Sequence, residues 1–341
     1  TNYEIDSANF ISHNPHFCKS ALSRFTQWDF IAMVNDYNIP FHERDHGQLF
    51  CDNSAKDILN MLLTECSKVN VDIRLNCTIE KINCDSSGDF FVAAAEEKYK
   101  TGSLVIASGG LSIPKMGASP FGYKIAAQFG HKVWPTRAGL VPFTLHPHDK
   151  QQLSPLSGIS VNCIVSNEHN QFRENILFTH RGLSGPAILQ ISSYWEPGEA
   201  IDINLLPDLD IEDFLQSRQA TQPKIKLKSL LTEVLPKRLL PVLFATDMLD
   251  KPLQEISQKQ LLEIQQKLGC WQVSPNSTEG YRTAEVTIGG VDCDEISSKT
   301  MQSNLVDGLY FVGEVLDVSG WLGGYNFQWA WSSGWCAGQV V

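Results

Sequence analysis

Two short apolar runs dominate the reading: Leu104–Ala107 in "SLVIASGG" and Leu309–Val312 in "GLYFVGEVLDVSGWLGGYNFQWAWSSG". Each ends on glycine within a residue or two. An apolar run of this length, bounded by turn residues, reads as a strand covered on both faces, the habit of parallel sheets. Parallel neighbours need long crossovers between them, so the pair calls for an α/β fold. In open α/β sheets, ligands collect outside the carboxyl ends of the strands. Gly109 and Gly110 stand at one such end and Gly313 and Glu314 at the other, and together the two segments look like strands presenting glycines at one edge. Glycine lets a ligand approach the backbone closely, and a carboxylate there can accept hydrogen bonds from ribose or ribityl hydroxyls. Gly323-Gly324 then precede a helix expected to start near Asn326. Its free N–H groups and dipole favour a phosphate or an electron-rich carbonyl. Ala330, Ser332, Ser333 and Ala337 let that helix pack closely on the sheet. Glycines serving only as turns in a terminal strand–helix pair are the plain alternative. The two segments together favour a flat, anionic cofactor.

The rest of the chain divides by pattern. Lys19–Tyr37 has helical spacing, with Ala21, Leu22, Phe25, Phe30, Ile31 and Val34 as core positions. Ser54, followed three residues later by Asp57, marks a helix start, and Ile58, Met61, Leu62 and Cys66 continue it. Val71, Ile73 and Leu75 alternate with polar residues, the period of a half-buried strand. Further short strands run to about Lys100 through a turn at "DSSGD", and a helix is expected over Pro120–Phe129. From about Leu140 to Arg282 the character changes. Ile159, Val161, Cys163 and Val165 alternate, as do Ile201, Ile203 and Leu205. Helical stretches broken at Pro236 come after them. Strands first and helices afterwards suggest a separate α+β unit inserted into a discontinuous first domain. The expected domains are 1–140 with 284–341, and an inserted substrate or cap domain over 141–283. With 341 residues, the chain exceeds what a single core sustains.

Composition narrows the setting. No apolar run reaches the span of a bilayer, and no secretory signal is visible. The nine cysteines are scattered, odd in number and without a CxxC, so reduced thiols in a cytoplasmic protein are expected rather than a disulfide framework or a metal site. The net charge of −11 disfavours broad nonspecific binding to nucleic acid. A local basic run, Lys224, Lys226, Lys228, Lys237 and Arg238, lies on the helical part of the insertion. It reads either as a solvated helix face or as a patch for a phosphate backbone.

Three further segments could carry chemistry. In "NSTEGYRTAEVTIGGVD", Tyr281, Arg282, Thr283 and Glu285 stand where the chain re-enters the first domain, and domain boundaries favour ligand sites. A polar hinge with an Arg–Glu ion pair is the alternative. In "LFTHRGLSGPAILQIS", His180 could deliver a proton near neutral pH, although a lone histidine is more often structural. Cys51 in "GQLFCDN" is a candidate proton donor or nucleophile, or a small core residue. No P-loop, HExxH, GxSxG or DxDxDG motif is present.

The segments "IASGGLSIPKMGASPFGYKIA", "LVPFTL", "LFTHRGLSGPAILQISSYW", "NSTEGYRTAEVTIGGVD" and the C-terminal stretch resemble those of the bacterial BaiN-like, or aminoacetone-oxidase-like, NAD(P)/FAD-dependent oxidoreductases. The similarity runs over essentially the whole chain and is nearest to the enterobacterial-type branch. That branch includes an enzyme reducing a uridine of large-subunit ribosomal RNA to dihydrouridine. The resemblance implies a Rossmann-like FAD domain of the two-dinucleotide-binding type with an inserted domain. It places Gly109, Gly313, Glu314, Gly323, Gly324, Asn326 and Phe327 around FAD, and Tyr281, Arg282 and Thr283 toward the flavin ring. It further implies NAD(P)H as electron donor and hydride transfer to an electron-poor C=C, most specifically a uridine of ribosomal RNA, a reading that the acidic balance counts against and the basic run counts for. A small-molecule oxidase or enone reductase, or a non-catalytic RNA-associated protein, are the rival expectations. Members of the family begin with a strand, a GxGxxG turn and a helix, which this sequence lacks. A chain shortened at its N-terminus is the expected explanation, since a sheet without its central strand leaves backbone groups unsatisfied.

Overall fold

The computed structural model describes residues 1–94 and 97–341. They form two compact units, Thr1–Arg137 with Val286–Val341, and Ala138–Glu285.

In the first unit the two apolar runs do become parallel neighbours. Leu104–Ile106 pairs with Leu309–Phe311, Leu104 opposite Leu309 and Ile106 opposite Phe311. The later strand is fully buried. The earlier one is not, since Val105 is 39% exposed. The expectation of burial on both faces therefore fails there. The pair stands as a two-stranded sheet. Against the pair lie helix Phe121–Gln128 and the terminal helix Tyr325–Gly338. Their core joins Phe17, Ala21, Ile106, Ile125, Phe311, Val315 and Trp329.

Two other expectations are corrected. The helical pattern over Lys19–Tyr37 is two helices, Cys18–Arg24 and Gln27–Asp36. Thr26 stops the first and starts the second: its hydroxyl accepts from Asp29 N, and the Asp29 carboxylate accepts from Thr26 N. That reciprocal cap makes a fresh helix start. Val71, Ile73 and Leu75 form no strand, and all three are about half exposed or more. Their alternation suits a pleat, but a strand exists only where a neighbour supplies hydrogen bonds. Ser54 does open helix Lys56–Lys68, its hydroxyl accepting from Lys56 N rather than forming a box with Asp57.

A buried histidine ties this unit together. His131 is 4% exposed, with Nδ1 3.1 Å from Glu295 Oε2 and Nε2 2.8 Å from Ser303 Oγ. Burial lowers its pKa, against the opposing pull of the Glu295 carboxylate. A histidine depressed in the folded state is charged first in the unfolded chain. Its contribution is therefore intact above the unfolded pKa near 6.5 and is lost as pH falls toward the folded value. The expected loss is at most about 1.4 kcal/mol per pH unit below that point. Urea midpoints at about pH 7.5 and about pH 5.5 test this, because a His131→Gln protein should show a smaller pH-dependent decline than the parent.

The second unit is built on a seven-strand ladder in the order Trp271–Val273, Ile201–Asn204, Ser160–Ser166, Gln171–Phe178, Gly182–Ser184, Phe143–Leu145, Pro275–Thr278. Every pairing is antiparallel. The first and last members of this order are separated in sequence by Ser274 alone. A flat sheet of that width would hold its edges roughly 29 Å apart, which one residue cannot bridge. The sheet therefore closes on itself. Trp271–Thr278 is one bent strand that pairs on one side with Ile201–Asn204 and on the other with Phe143–Leu145. Closure removes the open edges that a sheet otherwise presents. Val161, Cys163, Val165, Ile176, Phe178, Ile201 and Ile203 fill the interior side. Helix Pro186–Ser192 is buried against the ladder, with Ser192 and Ser193 accepting from Val141 N and Leu140 N. Helices Ile211–Thr221, Leu227–Leu231 and Gln258–Gly269 are among the others in this unit.

Candidate functional site

The carboxyl ends of the parallel pair bring Gly109, Gly110, Gly313 and Glu314 to one place. Glu314 is the clasp. Its Oε2 accepts from Gly110 N at 3.1 Å and its Oε1 from Thr287 N at 2.6 Å. One carboxylate thus joins three segments: the loop after the first strand, the corner after the second, and strand Val286–Val291. Burial raises the Glu314 pKa, while the two backbone N–H groups pull it back. Thr287 is fully buried and acts as a second tie. Its Oγ1 accepts from Leu111 N at 2.8 Å and lies 3.1 Å from Ser112 Oγ, and its carbonyl accepts from Ser319 Oγ.

The terminal helix fixes the corner from the other side. Gly313 N donates to Ser333 Oγ at 2.9 Å, and Trp329 Nε1 donates to the Gly313 carbonyl at 3.0 Å. Gly313 has φ 71, a conformation that favours glycine, and a side chain added there would meet nothing within 4 Å. Gly109, with φ 67, is nearly as open, its nearest neighbour being Glu314 Oε2 at 3.8 Å. Gly110 is the opposite case. A Cβ there would fall 2.5 Å from Thr287 Oγ1, so glycine is needed for the clasp to close. The edge therefore combines two open glycines with a rigidly braced carboxylate.

The other expected cofactor residues behave differently. Gly323 and Gly324 do precede the helix, and no side chain caps it. Yet Gly323 lies against the Gln48 side chain and Gly324 against the Thr1 backbone, so both are partly covered by protein. Asn326 spends its side chain on the loop before the helix. Its Oδ1 accepts from Gly320 N at 2.7 Å, and its Nδ2 donates to the Gly320 and Trp321 carbonyls. Phe327 is 64% exposed and stacks on Trp331.

In the second unit, Thr179 Oγ1 accepts from Arg181 N and Gly182 N and so holds the turn carrying exposed His180. Tyr281 and Arg282 follow strand Pro275–Thr278. Gly182 is opposite Thr144, and Thr278 is opposite Phe143. His180 and Tyr281 therefore leave Phe143–Leu145 from opposite ends. The link across this strand is the ion pair of Arg181 Nη1 with Glu279 Oε2 at 2.9 Å, not the Arg–Glu pair expected within 282–285. The Thr283 hydroxyl is buried and has no hydrogen-bond partner among the described residues. Of the basic run, Lys224, Lys226, Lys237 and Arg238 are exposed and Lys228 is half-buried. Lys226 pairs with Asp250 at 3.3 Å, and Arg238 donates to the Pro155 carbonyl. Cys51 lies half-buried opposite Phe41 on the inner side of a small hairpin, packed against the cluster of Phe30, Val34, Ile39 and Met61, and burial raises its pKa, with Asp57 adding to the rise. All nine cysteines are free.

Sequence reasoning missed Thr287 and Trp329, and took Ser333 only as a small residue for close packing rather than as the acceptor for Gly313 N. Thr287 stands in the quoted "VTIGGV", where a lone threonine in an apolar strand was the available signal.

Comparison with known proteins follows the same lines. A family model described as the HI0933-like protein Rossmann domain matches residues 1–340. The chain is 54% identical over 341 residues to the ribosomal RNA dihydrouridine synthase of Escherichia coli, covering 99% of this chain and 85% of that protein. It is 48% identical over 338 residues to the protein of the same name from Haemophilus influenzae, covering 98% and 84%. It is also 25% identical over 362 residues to the 3-dehydro-bile acid delta(4,6)-reductase of Clostridium scindens, covering 100% and 86%. Among the described residues no helix is long and apolar enough to cross a membrane.

Proposed function

Because the chain belongs to the HI0933-like Rossmann-domain family, we propose that it is an FAD-dependent enzyme that uses NAD(P)H to reduce uridine in 23S ribosomal RNA to dihydrouridine in the cytoplasm. The observation that carries this reading is the 54% identity with a ribosomal RNA dihydrouridine synthase along nearly the whole chain. The open backbone at Gly109 and Gly313, beside a braced carboxylate, suits a flat cofactor and a hydroxylated chain. When bound, the flavin supplies the hydride, and the protein supplies position and exclusion of competing reactions.

The chain's own residues divide the remaining work. Gly109 and Gly313 leave room beside the backbone where a side chain would stand. Glu314 already accepts one N–H at each oxygen and keeps a lone pair on each for a hydroxyl. Thr287, Trp329 and Ser333 hold that corner still. Gly110 serves the clasp. Gly323, Gly324 and Asn326 shape the start of the terminal helix, and Phe327 contributes an exposed ring beside it. In the second unit, His180, Tyr281 and Arg282 are the candidate groups for proton delivery and substrate contact. Lys224, Lys226, Lys228, Lys237 and Arg238 are the candidate contacts for the RNA backbone.

Mass-spectrometric comparison of ribosomal RNA nucleosides with and without the gene tests the assignment. Dihydrouridine in 23S RNA should disappear on deletion, and its persistence would overturn the reading. The similarity to a bile acid delta(4,6)-reductase favours a second reading, a small-molecule C=C reductase. Turnover of a conjugated enone with unchanged ribosomal RNA would select it.

A further inference from the structure

The hairpin Phe41–Glu43 and Leu49–Cys51 carries a side-chain constellation that the cofactor edge does not use. His42 pairs with Phe50 and Phe41 with Cys51, so the strands' alternation separates two faces. Phe41 and Cys51 face the core. His42, Arg44, Phe50 and Asp52 make the other face. There His42 Nδ1 lies 2.7 Å from Asp52 Oδ1, and Arg44 Nε donates to His42 Nε2 at 3.3 Å. A guanidinium can only donate, so the imidazole proton sits on Nδ1, toward Asp52. The Arg44 guanidinium lies over the Phe50 ring, 4.2 Å from its centroid. Phe50 itself is 40% exposed.

We infer that this face, with Arg44 held over Phe50 by the His42–Asp52 pair, is a contact surface for an unpaired nucleotide of RNA. The inference rests on the reading of RNA as substrate and deepens it. An exposed ring with a stacked guanidinium offers a base a flat platform and a phosphate a planar donor fork. Arg44 spends its Nε on an imidazole nitrogen rather than on a carboxylate, which leaves its terminal N–H groups for a phosphate. Asp45 and Asp52 keep the hairpin short of positive charge, so the face suits one stacked nucleotide and not a long phosphate track. Its position fits the chemistry. Asn2 Nδ2 bonds both the His46 carbonyl at the hairpin tip, at 2.9 Å, and the Gly323 carbonyl, at 3.0 Å. Gln48 packs on Gly323. The hairpin is thereby anchored to the turn that opens the terminal helix, the helix whose Trp329 and Ser333 hold the Gly313 corner.

The test is the affinity of the flavin-loaded protein for a short, fluorescein-labelled, uridine-containing single-stranded RNA, with flavin content and melting temperature measured alongside. Phe50→Ala and Arg44→Gln should each weaken binding about 10- to 100-fold, the range of a lost base–aromatic stack. Phe50→Trp, which keeps a platform, should bind within a few-fold of the parent, and flavin content should not change in any of the three. Unchanged affinity in Phe50→Ala and Arg44→Gln, while the parent binds RNA, overturns the assignment of this face alone. A flavin-loaded parent that binds no RNA overturns the underlying reading and this inference with it.

Discussion

A Glu314→Ala protein should lose most of its bound flavin and, in addition, about 2–6 kcal/mol of stability. The second loss follows from the clasp. Truncation leaves the N–H groups of Gly110 and Thr287 without their acceptor, and Thr287 is fully buried. Each orphaned buried donor costs about 1–3 kcal/mol. That is a large share of a typical folding free energy of about 5–15 kcal/mol. Glu314→Gln separates acceptor geometry from size. It keeps the shape but sets an NH2 against one of the two N–H donors, so it should fall nearer to alanine than to glutamate. Denaturant midpoints together with flavin absorbance after gel filtration provide the check. Retention of both properties in either variant would show that the carboxylate is not what holds this corner.

The second large effect is expected at Trp329. This side chain is 1% exposed, meets Phe17 edge-on and donates its indole N–H to Gly313. Trp329→Ala should cost about 3–5 kcal/mol through the cavity it leaves. Trp329→Phe retains much of the volume but removes the donor; the Gly313 carbonyl still accepts from Leu316 N at 3.2 Å, so only about 0.5–1.5 kcal/mol is expected from the lost hydrogen bond. If the indole bond sets the Gly313 corner, the Phe variant should also bind flavin less tightly than its modest destabilisation explains. Equal flavin affinity in Trp329→Phe and the parent would reduce Trp329 to a packing residue.

What could be read from the sequence, and what could not, follows from the range of each interaction. The parallel pair was legible because burial and punctuation are local: apolar runs ending on Ser108-Gly109 and on Gly313. The terminal helix was legible to within a residue, expected near Asn326 and found from Tyr325. The ties to Thr287 and Ser333 join residues far apart in the chain, so spacing carried no trace of them. Val71, Ile73 and Leu75 misled because alternation reports side-chain character and says nothing about whether a partner strand exists. Asn326 drew attention as a polar group at a helix start, yet its amide is consumed by Gly320 and Trp321. His180 and Tyr281 were natural companions by chemistry, and only the strand register carries them apart.

The seam at Ser274 has a consequence for synthesis. The strand that seals the cylinder, Trp271–Thr278, leaves the ribosome long after the partner strand Phe143–Leu145 that it must meet. Until it arrives, the nascent sheet has bare margins at Phe143–Leu145 and at Ile201–Asn204, the state most open to wrong pairing. Translational pausing between those two points would therefore prolong the vulnerable interval, whereas pausing after residue 278 would not.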